Sequence, residues 1–337
     1  MIPREVVTRA IEFQRPERLP INGYGDASDV VWIAHDEVKP PEAAGDPTLD
    51  QWLCRWGKTD APNMGQVKGH PLEDLTRMDA FPWPDGNDPR RYAAVPGRLD
   101  ELAADPARRD KYVVTGIFMI LWERMHSLHG FERCMMALMD DAPAVHRLAD
   151  RIVEFDLAVI GNMHAAAGGR IQGLSFSEDW GTELDVHISP AVFDRFFVPR
   201  YRKIFDAIHA CGWHVWMHSC GKINRFIPAL IGAGVDVLNM QQPRTNGIDE
   251  IGRVFAGRVC FETLCDIQKT LPVGNRKAIM AEAEHLMNAW GTPAGGFILG
   301  DYGDNAAIGA DPEVKAFMLD QFRRLDPYRR QGRGAAR

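Results

Sequence analysis

Trp213-His214-Val215-Trp216-Met217-His218-Ser219-Cys220-Gly221 is the stretch from which the rest of this chain can be read. Every residue from Trp213 to Met217 except His214 is apolar, and Gly212 and Gly221 bracket the run. A short buried strand is the natural reading. Strand side chains alternate between faces, so His214, Trp216, His218 and Cys220 share one. His218 and Cys220 then lie side by side at the C-terminal end of the strand, where parallel α/β enzymes keep their chemistry. An imidazole and a thiol at i and i+2 can share one soft metal such as zinc. Taken alone, the pair fits equally a half-buried histidine beside an inert cysteine.

Working outward, the same rhythm recurs. Strand candidates stand at 19–26, 112–118, 171–176, 235–240, 258–262 and 296–299, which with 213–217 makes seven. Helical stretches separate most of them, at 130–139, 142–166, 190–211, 222–232, 248–255 and 275–290, and a last helix spans 311–325. Ser189-Pro190 is a ready N-cap and first-turn pair for one of these. Alternating strands and helices joined by glycine-containing turns imply βαβ units and a parallel sheet. A distorted (β/α)8 TIM barrel is the first choice of architecture, with its eighth strand inside 26–110 or after Pro272; an open doubly wound sheet is the second. No glycine-rich phosphate loop follows a strand, which counts against a dinucleotide or P-loop enzyme.

The 337 residues are 45% apolar and 25% charged, as in an ordinary globular protein. A net charge of -7 argues against nucleic acid or an anionic membrane as partner. Six scattered cysteines without a CxxC pair suggest a reducing, cytoplasmic setting. The N-terminus lacks the apolar core of a signal peptide, and no apolar run approaches the ~20 residues of a membrane span. One domain is expected over 1–326, and the glycine- and arginine-rich end, 327–337, reads as a flexible tail. Residues 26–110 are interrupted by proline and glycine and carry no periodic stripe. They are expected to cover the barrel mouth or a dimer face, held to the body by Trp32, Trp52, Trp56 and Trp83.

In a barrel the strand ends converge. Four are unusually polar: Ser177-Glu178-Asp179, His218-Ser219-Cys220, Asn239-Met240-Gln241-Gln242 and Asp301-Tyr302-Gly303-Asp304; Glu262 and Asp266 flank a fifth. Each alone could be a solvated loop or a cap, but five on one rim favour a site. Cys260 and Cys265 read as packing. On the strand over 171–176, Gly173 and Ser175 share a parity with Ser177 and Asp179, and small residues suit a crowded axis. Asp179 is therefore expected to face inward within reach of His218, with Glu178 turned toward the loops.

From Phe13 to Phe322 the chain resembles the uroporphyrinogen decarboxylase superfamily, in its methyltransferase-like branch. The resemblance rests on Arg15-Pro16-Glu17-Arg18-Leu19-Pro20, Trp56-Gly57, Glu178-Asp179-Trp180-Gly181-Thr182, Ile188-Ser189-Pro190 and His218-Ser219-Cys220-Gly221. Gly234 to Asn239 with Gln242, Asp266-Ile267-Gln268 with Leu271-Pro272, and Gly295 to Leu299 extend it. It implies a distorted (β/α)8 barrel, commonly a homodimer. Members that decarboxylate uroporphyrinogen carry an Arg-Gln-Ala-Gly-Arg motif after the first Arg-x-Pro. Here Ile21-Asn22-Gly23-Tyr24-Gly25-Asp26 stands in its place without an arginine, so a polycarboxylate would lack its bidentate partners. Corrinoid-linked methyltransferases of the superfamily use a His-x-Cys…Cys zinc site. His218 and Cys220 match its first two positions, but Gly300 to Asp304 supplies no third cysteine, leaving Glu178 or Asp301 to complete the set. The resemblance thus implies a zinc-dependent methyltransferase or demethylase working with a corrinoid protein or a small methyl donor. Asp179, Glu178 and His218 would be catalytic, and His218, Cys220, Glu178 and Asp301 would be the metal ligands. The alternative is a metal-independent decarboxylase in which Asp179 or Glu178 protonates a carbanion and Arg124, Lys222 or Arg244 holds the substrate carboxylate. A barrel that serves only as a carrier or corrinoid-binding partner ranks last.

Overall fold

The computed structural model describes residues 1–59, 65–326 and 328. Among the described residues nine strands are defined: β1 (Val30–Trp32), β2 (Arg55–Gly57), β3 (Gln66–Gly69), β4 (Tyr112–Ile117), β5 (Gly173–Ser177), β6 (His214–His218), β7 (Val237–Asn239), β8 (Cys260–Thr263) and β9 (Phe297–Leu299). Seven form one parallel sheet in the order β1-β4-β5-β6-β7-β8-β9. The eighth position is filled by Pro20 to Asn22, bonded to β9 through Leu299 N–H to Pro20 O (3.0 Å) and Asn22 N–H to Leu299 O (2.8 Å). On its other side Asp29 N–H donates to Ile21 O at 2.7 Å. Arg18 clamps this seam by forking onto both carboxylate oxygens of Asp29, at 2.7 and 2.6 Å. The sheet is thereby curled into a distorted (β/α)8 barrel, and β1 is the strand hidden in 26–110.

The alternation of each strand sorts its side chains between two cores. Tyr112, Val114, Trp216, Val237, Cys260 and Ile298 fill the barrel axis, with Val7 and Ile11 of the first helix closing the N-terminal end. Gly173 makes room there, since a Cβ on it would stand 2.9 Å from the Tyr112 hydroxyl and 3.0 Å from the Trp216 indole nitrogen. The opposite faces, such as Leu174, Phe176, Val215, Met217 and Phe261, pack against the surrounding helices.

Residues 26–110 contribute the β2–β3 ribbon and the helix Val95–Ala104. Trp52, Cys54, Leu72, Leu99 and Leu102 from this segment are continuous with the outer core. Trp52 packs edge-on to Phe155 at 4.7 Å, and Trp83 packs on Trp52. Trp32 departs from the expected packing role: its ring is 51% exposed and stands at the barrel mouth. The expected tail lies outside the described residues except for Tyr328, which is buried. Among the described residues, no helix is long and apolar enough to cross a membrane.

Candidate metal centre at the barrel mouth

Ser177, His218, Asn239 and Glu262 form one in-register row across β5, β6, β7 and β8 at their C-terminal ends. The layer beneath, Ser175, Trp216, Val237 and Cys260, lies in the same register and belongs to the axis. His218 therefore faces the axis because Trp216 does.

Past the row, the chain continues from β5 into Asp179 and from β6 into Cys220. The two loops touch at backbone level. Gly181 N–H donates to Cys220 O at 3.2 Å, and a Cβ on Gly221 (φ +77°) would lie 2.2 Å from Gly181 O. Only glycine fits that crossing. Gln242 and Asn246 strap the second loop from below: Gly221 N–H donates to Gln242 Oε1 (2.5 Å) and Ile223 N–H to Asn246 Oδ1 (3.1 Å). Cys220 is thus fixed by its neighbours' backbone.

The result is a cluster. Cys220 Sγ lies 3.3 Å from His218 Nε2, and Asp179 Oδ1 lies 3.6 Å from the same nitrogen. Asp179 Oδ1 also accepts the Cys220 N–H at 2.7 Å. One donor atom from each of the three residues falls within 4.8 Å of the others. On the far side of the ring, His218 Nδ1 meets Asn239 Oδ1 at 2.6 Å. Asn239 also hydrogen-bonds Glu262, which takes a second amide, Asn22 Nδ2, at 2.7 Å. A carboxylate only accepts, so the Asn239 NH2 points to Glu262 and its carbonyl to His218. Nδ1 must then carry a proton, and Nε2 faces Cys220 and Asp179, where a metal would take the place of its proton. Burial disfavours an imidazolium, but Cys220, Asp179 and Asn239 outweigh it and lift the His218 pKa to about 10. The surroundings are built to hold positive charge. Imidazole, thiolate and carboxylate with one side open to a cavity is a donor set that suits zinc.

The cavity is about 400 Å³ and is lined by Asn22, Trp32, His218, Asn239, Gln241, Glu262, Asp301 and Tyr302, among others. A larger depression of about 660 Å³ lies between residues 38–47 and 83–91, away from the strand ends. Proline and surface ion pairs dominate it, and the smaller cavity, lined by His218, is the candidate site.

Several expected site residues are placed elsewhere. Glu178 is fully buried and its carboxylate caps the helix Trp122–His129: Trp122 N–H donates at 3.0 Å, Glu123 N–H at 3.1 Å, and Leu121 N–H makes a short bond. The Tyr201 hydroxyl is a fourth donor. Burial and the nearby Glu123 push the Glu178 pKa up, whereas the three amides pull it down. With four donors on it, Glu178 is a structural anion with no lone pair to spare for a metal. Asp301 lines the cavity but is paired with Lys315 Nζ and stands outside the cluster of three. Arg124 is buried against Asp50 (3.2 Å) and stacked on Trp52 (4.9 Å). Arg244 reaches Thr270 in the turn after β8 and Glu282 on the helix Arg276–Trp290, and Lys222 does not line the cavity.

One rim residue escaped the sequence reading. Glu123, at the start of the helix that Glu178 caps, accepts the Ser177 hydroxyl at 2.5 Å and lies near Asp179. Burial and the Asp179 charge raise its pKa to about 7. Its local sequence, Leu121-Trp122-Glu123-Arg124, holds no motif that could have flagged it.

The comparisons agree with this geometry at the level of family. The sequence pattern described as uroporphyrinogen decarboxylase (URO-D) matches residues 112–324, from β4 through the last helix. A curated uroporphyrinogen decarboxylase of Alkalilimnicola ehrlichii is 23% identical over 278 residues, covering 79% of this chain and 71% of that protein. Among solved structures, a D-psicose 3-epimerase crystallised with D-fructose aligns over 69% of this chain and 83% of its own, at 12% identity and a TM-score of 0.43. Dispersin B aligns over 68% of this chain and 74% of its own, at 10% identity and a TM-score of 0.36. The family pattern spans six of the seven strands in the main sheet and carries His218, Cys220, Asn239 and Glu262 within it; the chain belongs to the uroporphyrinogen decarboxylase family.

Proposed function

We propose that this chain is a zinc-dependent methyltransferase or demethylase of that family, working in the cytoplasm with a corrinoid protein or a small methyl donor. The observation that carries the reading is the convergence of Asp179, His218 and Cys220 donor atoms within 4.8 Å at the open end of the barrel. Six unpaired cysteines suit the reducing compartment that a thiolate ligand requires. Asp179, His218 and Cys220 would hold the metal, replacing the Glu178 and Asp301 expected from sequence. Bound there, zinc would act as a Lewis acid that lowers the pKa of a thiol or hydroxyl acceptor. Asn239 keeps the His218 Nε2 lone pair turned toward the other two donors. Glu123, whose carboxylate accepts the Ser177 hydroxyl near Asp179, would take up the acceptor's proton.

The alternative, a metal-independent decarboxylase, would have only the His218 imidazolium as a cation for its substrate. Among the described residues lining the cavity there is no arginine or lysine. Elemental analysis of the purified protein tests the proposal. It predicts close to one zinc per chain, reduced at least about tenfold in Cys220→Ser and Asp179→Asn with melting little changed, because both residues are partly exposed. Full zinc retained in both variants would refute it.

A further inference from the structure

Glu262 is 4% exposed, lines the cavity and makes no ion pair with a lysine or arginine among the described residues; the positive charge that acts on it is that of His218. Its hydrogen-bond partners are two neutral amides, Asn22 and Asn239, and both donate. Two donors on the carboxylate favour its ionised form, against the burial that raises its pKa. Once a metal takes the place of the His218 proton, a buried anion bonded only to amides is costly unless something positive comes to it. The other acid of the cavity, Asp301, already has Lys315, whose ammonium also donates to Tyr302 O at 2.7 Å. Opposite, the Trp32 ring is half-exposed, over Gly116, which has no Cβ to displace it: one there would stand 3.3 Å from the ring. A half-exposed indole face in the same cavity as a carboxylate favours an organic cation.

Resting on the metal reading above, we propose that the small substrate carries an ammonium group, recognised by Glu262 and Trp32, a few carbon atoms from the thiol or hydroxyl that reacts. The spacing follows from register. His218, Asn239 and Glu262 occupy one row on successive strands, so the backbones of His218 and Glu262 are about 10 Å apart and their side chains converge on the axis. With a metal on Nε2 the imidazole is neutral, so His218 does not neutralise Glu262. An anionic substrate of the same size would meet Glu262 without compensation and bind worst.

Three thiols on one two-carbon chain and of different charge test this: cysteamine, 2-mercaptoethanol and 2-mercaptoethanesulfonate. Binding to metal-loaded protein is measured by calorimetry, with metal content assayed on the same sample. Cysteamine should bind about tenfold or more tightly than the neutral thiol, and the sulfonate most weakly. A cysteamine thiol is intrinsically more acidic, so Glu262→Gln isolates the charge: it should erase most of the cysteamine advantage and leave 2-mercaptoethanol unchanged. Trp32→Ala, at an exposed ring, should weaken cysteamine about threefold without affecting folding. Preference for the sulfonate, or a thiol order unchanged in Glu262→Gln with full metal, would overturn the substrate class alone. Protein that takes up no metal would overturn the reading of the site and this proposal with it.

Discussion

Replacing Glu178 by glutamine separates a capping role from a metal-binding one. In the native chain Oε1 accepts Leu121 and Trp122 N–H and Oε2 accepts Glu123 N–H. A glutamine carbonyl can keep the first two. Its NH2 then faces the Glu123 amide, leaving a buried donor opposed to a donor, at a cost of about 1–3 kcal/mol. Losing the negative charge at a buried helix N-terminus adds roughly 1 kcal/mol. Relief of repulsion with Glu123 and Asp156 offsets part of this. The net expectation is a loss of about 2–3 kcal/mol, or roughly 3–5 °C in melting temperature for a chain this long. Urea unfolding followed by tryptophan fluorescence is a suitable assay, because the stacked Trp122 and Trp180 rings (5.0 Å) flank the capped helix. Metal content should be unchanged. A variant that kept its stability but lost its metal would show that Glu178 is a ligand and that the assignment of Asp179 is mistaken.

Two further outcomes follow from the same contacts. Gly221→Ala would drive a Cβ into the Gly181 carbonyl at a positive φ, so the loop must shift and carry Cys220 with it. Metal affinity should fall at least about tenfold with about 2 kcal/mol of stability; unchanged metal uptake would mean that the loop crossing does not position the thiol. The second concerns acid. Burial, reinforced by His187, His70 and Arg124, depresses the His126 pKa to about 4, so the unfolded chain binds the extra proton first. The stability from neutral His126 is complete above about pH 6.5 and is lost as pH falls toward 4, reaching about 1–2 kcal/mol at pH 5. His126→Phe, set among Trp122 and Phe131, should flatten the stability profile between pH 7 and 5 by that amount, and an unaltered slope would contradict the assignment.

What could be read from the sequence was set by periodicity and parity. The alternation in His214 to His218 and Gly173 to Ser177 correctly put Trp216, His218, Gly173 and Ser175 on the axis, because a two-residue repeat leaves no other arrangement once one face is buried. β1 was hard to see, since three residues beside a proline-rich loop carry too little pattern. The helix Trp122–His129 was missed for two reasons. Most of its residues are buried, so no polar stripe marks it, and its cap comes from Glu178 over fifty residues away. That long-range cap also turned Glu178 from a candidate ligand into a structural anion. The pairing of Asp301 with Lys315 could not be read either, because that lysine lies in the last helix, outside any local motif. Glu123 stayed invisible for the same reason that its helix did.

The central claim is that Cys220, His218 and Asp179 hold one metal ion, and cobalt(II) loading followed by absorption spectroscopy tests it most directly. The account predicts one equivalent bound per chain, with visible bands of a low-coordinate site and a thiolate-to-cobalt charge-transfer band that disappears in Cys220→Ser. Binding without a charge-transfer band, or a band that survives Cys220→Ser, would place the metal elsewhere and contradict it.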